Sequence, residues 1–316
     1  MRQPPRYALL ALAGVLLGVA AGCHKHPSFT TRSYYMANAS RDEAVLLGCA
    51  NGDKQGRLTL FFGAPKAVGS AYGATLWGAS DRTAAQVGTL VKDFVRGYAY
   101  CRESRSHRLL IGIGTSNSAI DGKSNAWLTT HGATWSKMVR DVHDWAATYH
   151  PTAATIYGAW DAEPSWSRYE KADAWMHGYD NAYPRRRNLH ANFSADGCPQ
   201  TTASNGACNN GWRQWHLWHL AWDHDPSLTF PQIYATSGAN ARQWMQISEY
   251  GYHHQGDGIR FFGVMAQSAA CTQVGGCAGT DNTPHEAHDQ LLDALDSHAH
   301  TRQGSIDAMT DMHWHS

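Results

Sequence analysis

Two carboxylates two residues apart, Asp161 and Glu163, close the run Thr155-Ile-Tyr-Gly-Ala-Trp-Asp-Ala-Glu-Pro164. An apolar strand here carries residues i and i+2 on one face, about 6.6 Å apart along the backbone, and Pro164 ends it. Like charges that close push one pKa upward, leaving a protonated acid beside an ionised partner near neutral pH. Cleavage of a glycosidic bond needs that division of labour: one group protonates the leaving oxygen, and the other attacks or stabilises the anomeric centre. The competing reading is a polar strand end that caps the next helix.

Such a pair needs a scaffold that holds strand ends together. Apolar, β-branched or aromatic runs predict eight strands at Ser33–Ala37, Leu58–Phe62, Leu109–Ile113, Ala154–Trp160, Asn188–Phe193, His219–Trp222, Gln232–Ala235 and Ile259–Met265. Three-to-four spacing predicts helices over Asp81–Cys101, with Asp81 available as a cap, and over Trp135–Tyr149, Ser165–Tyr179, Ser237–His254 and His285–His298. Trp145 and Trp175 fall on apolar helix stripes and belong to the core. The alternation implies an α/β protein, an irregular (β/α)8 barrel of TIM type. It should lack one helix, because Asp223 to Pro231 is too short for one. An open doubly wound sheet is the rival, but Gly112-Ile113-Gly114 is not completed to G-x-G-x-x-G. Residues 29–303 form the expected barrel domain, and residues 304–316 a polar, frayed tail.

The D-x-E ending the fourth strand resembles that of chitinase-type and lysozyme-type (β/α)8 glycoside hydrolases, and the segment is similar to uncharacterised secreted actinobacterial proteins. The resemblance implies Glu163 as the acid and Asp161 as the carboxylate that orients a substrate acetamido group. Ile156 and Ala159 stand where the longer chitinase pattern has further Asp residues. Ile247-Ser-Glu-Tyr-Gly251 resembles the seventh-strand nucleophile motif of cellulase-like barrels, which would make Glu249 a second catalytic carboxylate. Helical spacing from Ser237 through Ser248 argues against it.

Barrel strands end at the functional face, so other strand-end residues are candidate sugar ligands: Asn117, Asn192, Asp196, Asp223, Tyr234 and Gln267. Trp77, Trp127, Trp160 and Trp166 fall in or beside strand-end loops, where an indole stacks on a pyranose. No H-x-x-x-H, H-E-x-x-H, C-x-x-C or G-x-S-x-G occurs, so neither a metal nor a cofactor is expected, and serine hydrolase chemistry is disfavoured. Formal net charge is zero, which removes the basic face that nucleic-acid binding requires.

Residues 1–22 read as a signal peptide: Arg2 and Arg6 precede the apolar stretch Ala8–Ala21, too short to span a membrane. Ala20-Ala21-Gly22-Cys23 resembles a bacterial lipobox, which implies a lipidated Cys23 and a tether over residues 23–28; ordinary cleavage after Ala21 or Gly22 is the alternative. Six cysteines remain for an oxidising compartment. Proximity pairs Cys198 with Cys208 and Cys271 with Cys277, leaving Cys49 with Cys101. These observations point to an exported monomer that acts on a polysaccharide or cell-wall glycan and touches the membrane only through its lipid. The second hypothesis is a non-catalytic carbohydrate-binding or envelope-interaction lipoprotein on the same scaffold.

Overall fold

Helices start where the chain offers a side-chain oxygen to the first free N–H groups. Ser40 with Glu43, Thr83 with Gln86 and Thr283 with Glu286 form reciprocal capping boxes. They open α1 (Arg41–Cys49), α2 (Ala84–Cys101) and α8 (Pro284–Asp296). Thr83, not Asp81, therefore caps the second helix.

The computed structural model describes residues 25–78 and 80–315. In chain order β1 (Thr30–Met36) leads through α1 to β2 (Gly56–Phe61), then to an antiparallel excursion of β3 (Ala64–Val68), β4 (Ala71–Thr75) and β5 (Asp81–Thr83). After α2 come β6 (Leu109–Ser116), α3 (Asn125–Tyr149), β7 (Ala154–Asp161), α4 (Tyr169–Ala182) and β8 (Leu189–Ala191). The chain continues through α5 (Gln214–Trp218), β9 (Ser227–Thr229), α6 (Ala239–Gln255), β10 (Val264–Ala266), α7 (Ser268–Gln273) and α8 to β11 (Met309–His315). Eight parallel strands pair in the order β10-β11-β1-β2-β6-β7-β8-β9. Bridges from Thr229 to Phe261 and from Gln232 to Met265 join the two edges. The architecture is an irregular (β/α)8 barrel.

Two expected strands are corrected. His219–Trp222 lies in a π-helical turn, His219–Asp223, that extends α5. The sixth strand is Ser227–Thr229, and the full helix α6 follows it, so no helix is missing at that point. Gln232–Ala235 contributes one bridge rather than a strand. Residues 304–315 are not a frayed tail either. Met309–His315 runs between β1 and β10 as the eighth strand, so the barrel continues beyond residue 303. Two of its polar side chains are paired: Thr310 bonds Ser33, and one carboxylate oxygen of Asp311 accepts from the Ser268 hydroxyl and the Ala269 N–H.

The main core fills the space between strands and helices. A second cluster of Phe61, Ala159, Phe230, Met265 and Met312 plugs the barrel beneath its C-terminal end. Below that plug the lumen is polar, with Ser33, Thr59, His190 and Asn192 bonded to one another or to backbone. A Cβ at Gly112 would stand 2.7 Å from His190 Nδ1. Gly112 therefore packs the lumen and is no part of a phosphate loop.

The disulfides are Cys49–Cys101, Cys198–Cys208 and Cys271–Cys277. Three such bridges place the folded chain in an oxidising, extracytoplasmic setting. Among the described residues no helix is long and apolar enough to cross a membrane. The signal peptide, Cys23 and His24 lie outside the described residues.

Candidate functional site

The pleat of β7 decides which of its residues reach the mouth. Successive side chains alternate, so Asp161 aims into the barrel and Trp160 must aim out. Trp160 is fully buried and stacks on Trp175 of α4, ring centroids 3.8 Å apart. It is a core residue, not a sugar platform. Asp161 is 1% exposed and accepts a 2.7 Å hydrogen bond from Gln232 Nε2.

Glu163 lies just past the strand, and Asn117 at the end of β6 fixes its backbone. Asn117 Oδ1 accepts from the Glu163 N–H at 2.9 Å, and Asn117 Nδ2 donates to the Glu163 carbonyl at 2.9 Å and to Ser167 Oγ at 2.7 Å. With its amide spent on these bonds and no exposed surface, Asn117 is a clamp rather than a ligand for substrate. The clamp turns the Glu163 carboxyl into a cavity of about 340 Å³.

Strand ends and the loops after them line that cavity. Tyr35 comes from β1, Glu163 and Trp166 from the β7 end, and Ser194 and Asp196 from the β8 end. Gln232, Tyr234 and Asn240 follow β9, and Gln267 follows β10. Tyr35, Trp166 and Gln267 also line an adjoining, largely aromatic cavity of about 230 Å³, where Trp77 and Trp314 join them. Trp77 reaches it from the β4–β5 connection, and its ring centroid lies 5.3 Å from Tyr35 and 6.1 Å from Trp166. The mouth is thus an acidic, hydroxyl-rich hollow continuous with an indole-walled groove.

The acids are perturbed as their surroundings demand. Burial pushes Asp161 well above the usual carboxylate range; the Gln232 amide opposes this and the Asp196 charge adds to it. Burial also raises Glu163 strongly, reinforced by the charges of Asp161 and then Asp196. Burial raises both Tyr35 and Tyr234, so both phenols keep their protons and can donate. Among the described residues Asp161 Oδ2, Ser194 Oγ and Tyr234 Oη are buried without a hydrogen-bond partner. Carboxyl protons, neutral phenols and an amide converging on one hollow can bind a hydroxyl- or amide-bearing molecule and pass it a proton.

Other expected site residues fall elsewhere. Asn192 is buried in the lumen, where it accepts from Thr59 and donates to the Phe230 carbonyl. Asp223 closes the π-turn and contacts His219 at 3.1 Å. Trp127 sits on α3 against Tyr72 and His131. Glu249 is on α6, as its helical spacing indicated, bonded to His253 and His300 and lining no part of the mouth, so Ile247–Gly251 supplies no nucleophile there. Conversely, Tyr35, Ser194, Gln232 and Trp314 line the mouth or its groove from strands and loops whose local sequence does not mark them. Tyr35 and Trp314 are register partners on the adjacent strands β1 and β11, which come from opposite ends of the chain. The spacing of Met312 and Trp314 around polar His313 is the local signal for that strand.

No protein-family profile and no curated protein sequence matches the chain. Two solved structures follow a similar course. The homocysteine methyltransferase MmuM from Escherichia coli is 10% identical over 90% of both chains, with a TM-score of 0.47. The xylanase and α-amylase inhibitor protein XAIP-II from Scadoxus multiflorus is 12% identical over 90% of this chain and 92% of that one, with a TM-score of 0.41. Neither likeness bears on function, which has to be argued from the mouth itself.

Proposed function

We propose that the protein is an exported glycoside hydrolase acting on a polysaccharide or cell-wall glycan, with Glu163 as the acid and Asp161 as its partner. The observation that carries this reading is a buried-side carboxyl, Glu163, raised by burial and by a second carboxylate and held at a cavity rim by Asn117. A raised carboxyl keeps its proton until a leaving oxygen takes it. Asp161, set beneath and hydrogen-bonded by Gln232, responds to the charge that Glu163 acquires as it donates. Tyr35, Tyr234, Asp196 and Gln267 line the space a sugar ring would occupy, and Trp77 and Trp166 offer faces for a neighbouring ring. No cofactor or metal is needed at the mouth for this chemistry. The protein works as a monomer, carries a glycan rather than a nucleic acid, and is held at the membrane by a lipid on Cys23. Replacing Glu163 with Gln should remove hydrolysis across a glycan panel while leaving binding intact; equal turnover in variant and parent refutes the assignment.

One observation favours the second reading, a glycan-binding lipoprotein without turnover. Asp161 is almost fully covered, which leaves Asp196, among the described residues, as the only other carboxylate lining the hollow. Binding by the parent without cleavage, lost on changing Trp166 but not Glu163, selects that reading.

A further inference from the structure

On the outer layer, away from the mouth, α6 carries Glu249 and His253 one turn apart on a shared face. Two more imidazoles arrive from the turn after α8. Glu249 Oε1 lies 3.0 Å from His253 Nε2, 3.3 Å from His300 Nδ1 and 3.7 Å from His298 Nδ1. A carboxylate oxygen offers about two lone-pair sites, so three converging imidazoles oversubscribe it. The other oxygen, Oε2, is buried without a partner, and Glu249 is 9% exposed. One crowded oxygen beside one bare oxygen is a poor hydrogen-bond network. It is a good donor set for a cation.

The geometry agrees. The ligand atoms of Glu249, His253 and His300 all lie within 4.8 Å of one another. With bonds of about 2.0–2.1 Å, neighbouring ligands of a tetrahedral zinc ion stand about 3.3 Å apart. Tyr252 stacks on His300 at 4.1 Å between centroids, and His253 meets His300 edge-on at 5.0 Å, which holds both rings in place. His253 and His300 are partly exposed, so an ion has a path from solvent. Imidazoles with one carboxylate suit zinc-class cations; calcium and magnesium prefer oxygen ligands throughout.

We propose that Glu249, His253 and His300 form a zinc-class cation site that clips the C-terminal end of α6 to the turn after α8, with solvent completing the coordination. No residue of this set lines the mouth, so the site stands apart from the proposed hydrolysis. A second group, His26, His288 and Asp289, serves as the internal control; there the His288 Nε2 already faces the Ile306 carbonyl.

The test uses the full mature chain without a polyhistidine tag, stripped with chelator and titrated calorimetrically with zinc chloride. One equivalent should bind, and His253→Ala combined with His300→Ala should raise Kd at least tenfold. His26→Ala combined with His288→Ala should leave that equivalent in place. The cobalt(II) complex of the parent gives a second readout that needs no variant: a visible spectrum of tetrahedral type is expected. Absence of a stoichiometric equivalent, binding indifferent to the His253 and His300 changes, or a purely octahedral cobalt spectrum overturns the proposal.

Discussion

Replacing Asn117 with Ala tests how the mouth is held. The change deletes three hydrogen bonds of 2.7–2.9 Å, two to the Glu163 backbone and one to Ser167. Each contributes about 1 kcal/mol net, and stranded buried groups add cost, so about 3 kcal/mol should be lost. The Asn117 N–H to Asp161 carbonyl bond survives, because it belongs to the backbone; the barrel itself should stay closed. The freed Glu163 peptide can then shift, and a misplacement of about 1 Å costs roughly a hundredfold in rate. Urea unfolding of parent, Asn117→Ala and Ser167→Ala, run beside glycan cleavage or binding, separates the effects. Ser167→Ala removes one bond and should cost about 1 kcal/mol. If Asn117→Ala unfolds within about 0.5 kcal/mol of the parent, the range of an ordinary surface change, and keeps its activity, the clamp is refuted.

Further outcomes follow from the same contacts. Asp161 and Glu163 have folded-state pKa values raised above those of the unfolded chain, so the stability they contribute is complete below the unfolded carboxylate range, about pH 4, and is lost as pH rises through the raised values. Asp161→Asn should therefore gain stability over the parent between pH 4 and pH 7, read from urea midpoints; a gap that shrinks as pH rises contradicts the burial argument. Cys49–Cys101 closes a separation of 52 residues and Cys271–Cys277 one of 6. By loop entropy their removal should cost about 4 and about 2 kcal/mol respectively, and the reverse ranking in denaturant melts would count against that account. Trp166→Ala, which takes a wall from both adjoining cavities, should weaken glycan binding at least tenfold while leaving the fold intact by circular dichroism; Trp160→Ala should instead cost about 3–5 kcal/mol of stability.

Features legible in chain order alone were local or periodic. Apolar stripes placed five of the eight described α-helices to within a few residues, except that α3 begins ten residues before Trp135; the short α1, α5 and α7 carry no such stripe and were not expected. Loop proximity set all three disulfide pairings. The run from Ala154 announced the strand that carries Asp161, and with it the barrel class. Tertiary structure decided everything that depends on closure and on facing. Pleating sent Trp160 into the core while Asp161 faced inward, although both are neighbours in the chain. Parallel pairing of Met309–His315 with strands on either side made a strand of a segment whose polarity suggested a loose end. A turn of helix, a cap or a short disulfide loop is fixed by residues a few positions apart, whose chemistry can be read in order. The partners of Asn117, the approach of Tyr35 to Gln232 and the meeting of Glu249 with His300 span from 46 to nearly 200 positions. Only the packing of the whole barrel brings such groups within reach of one another.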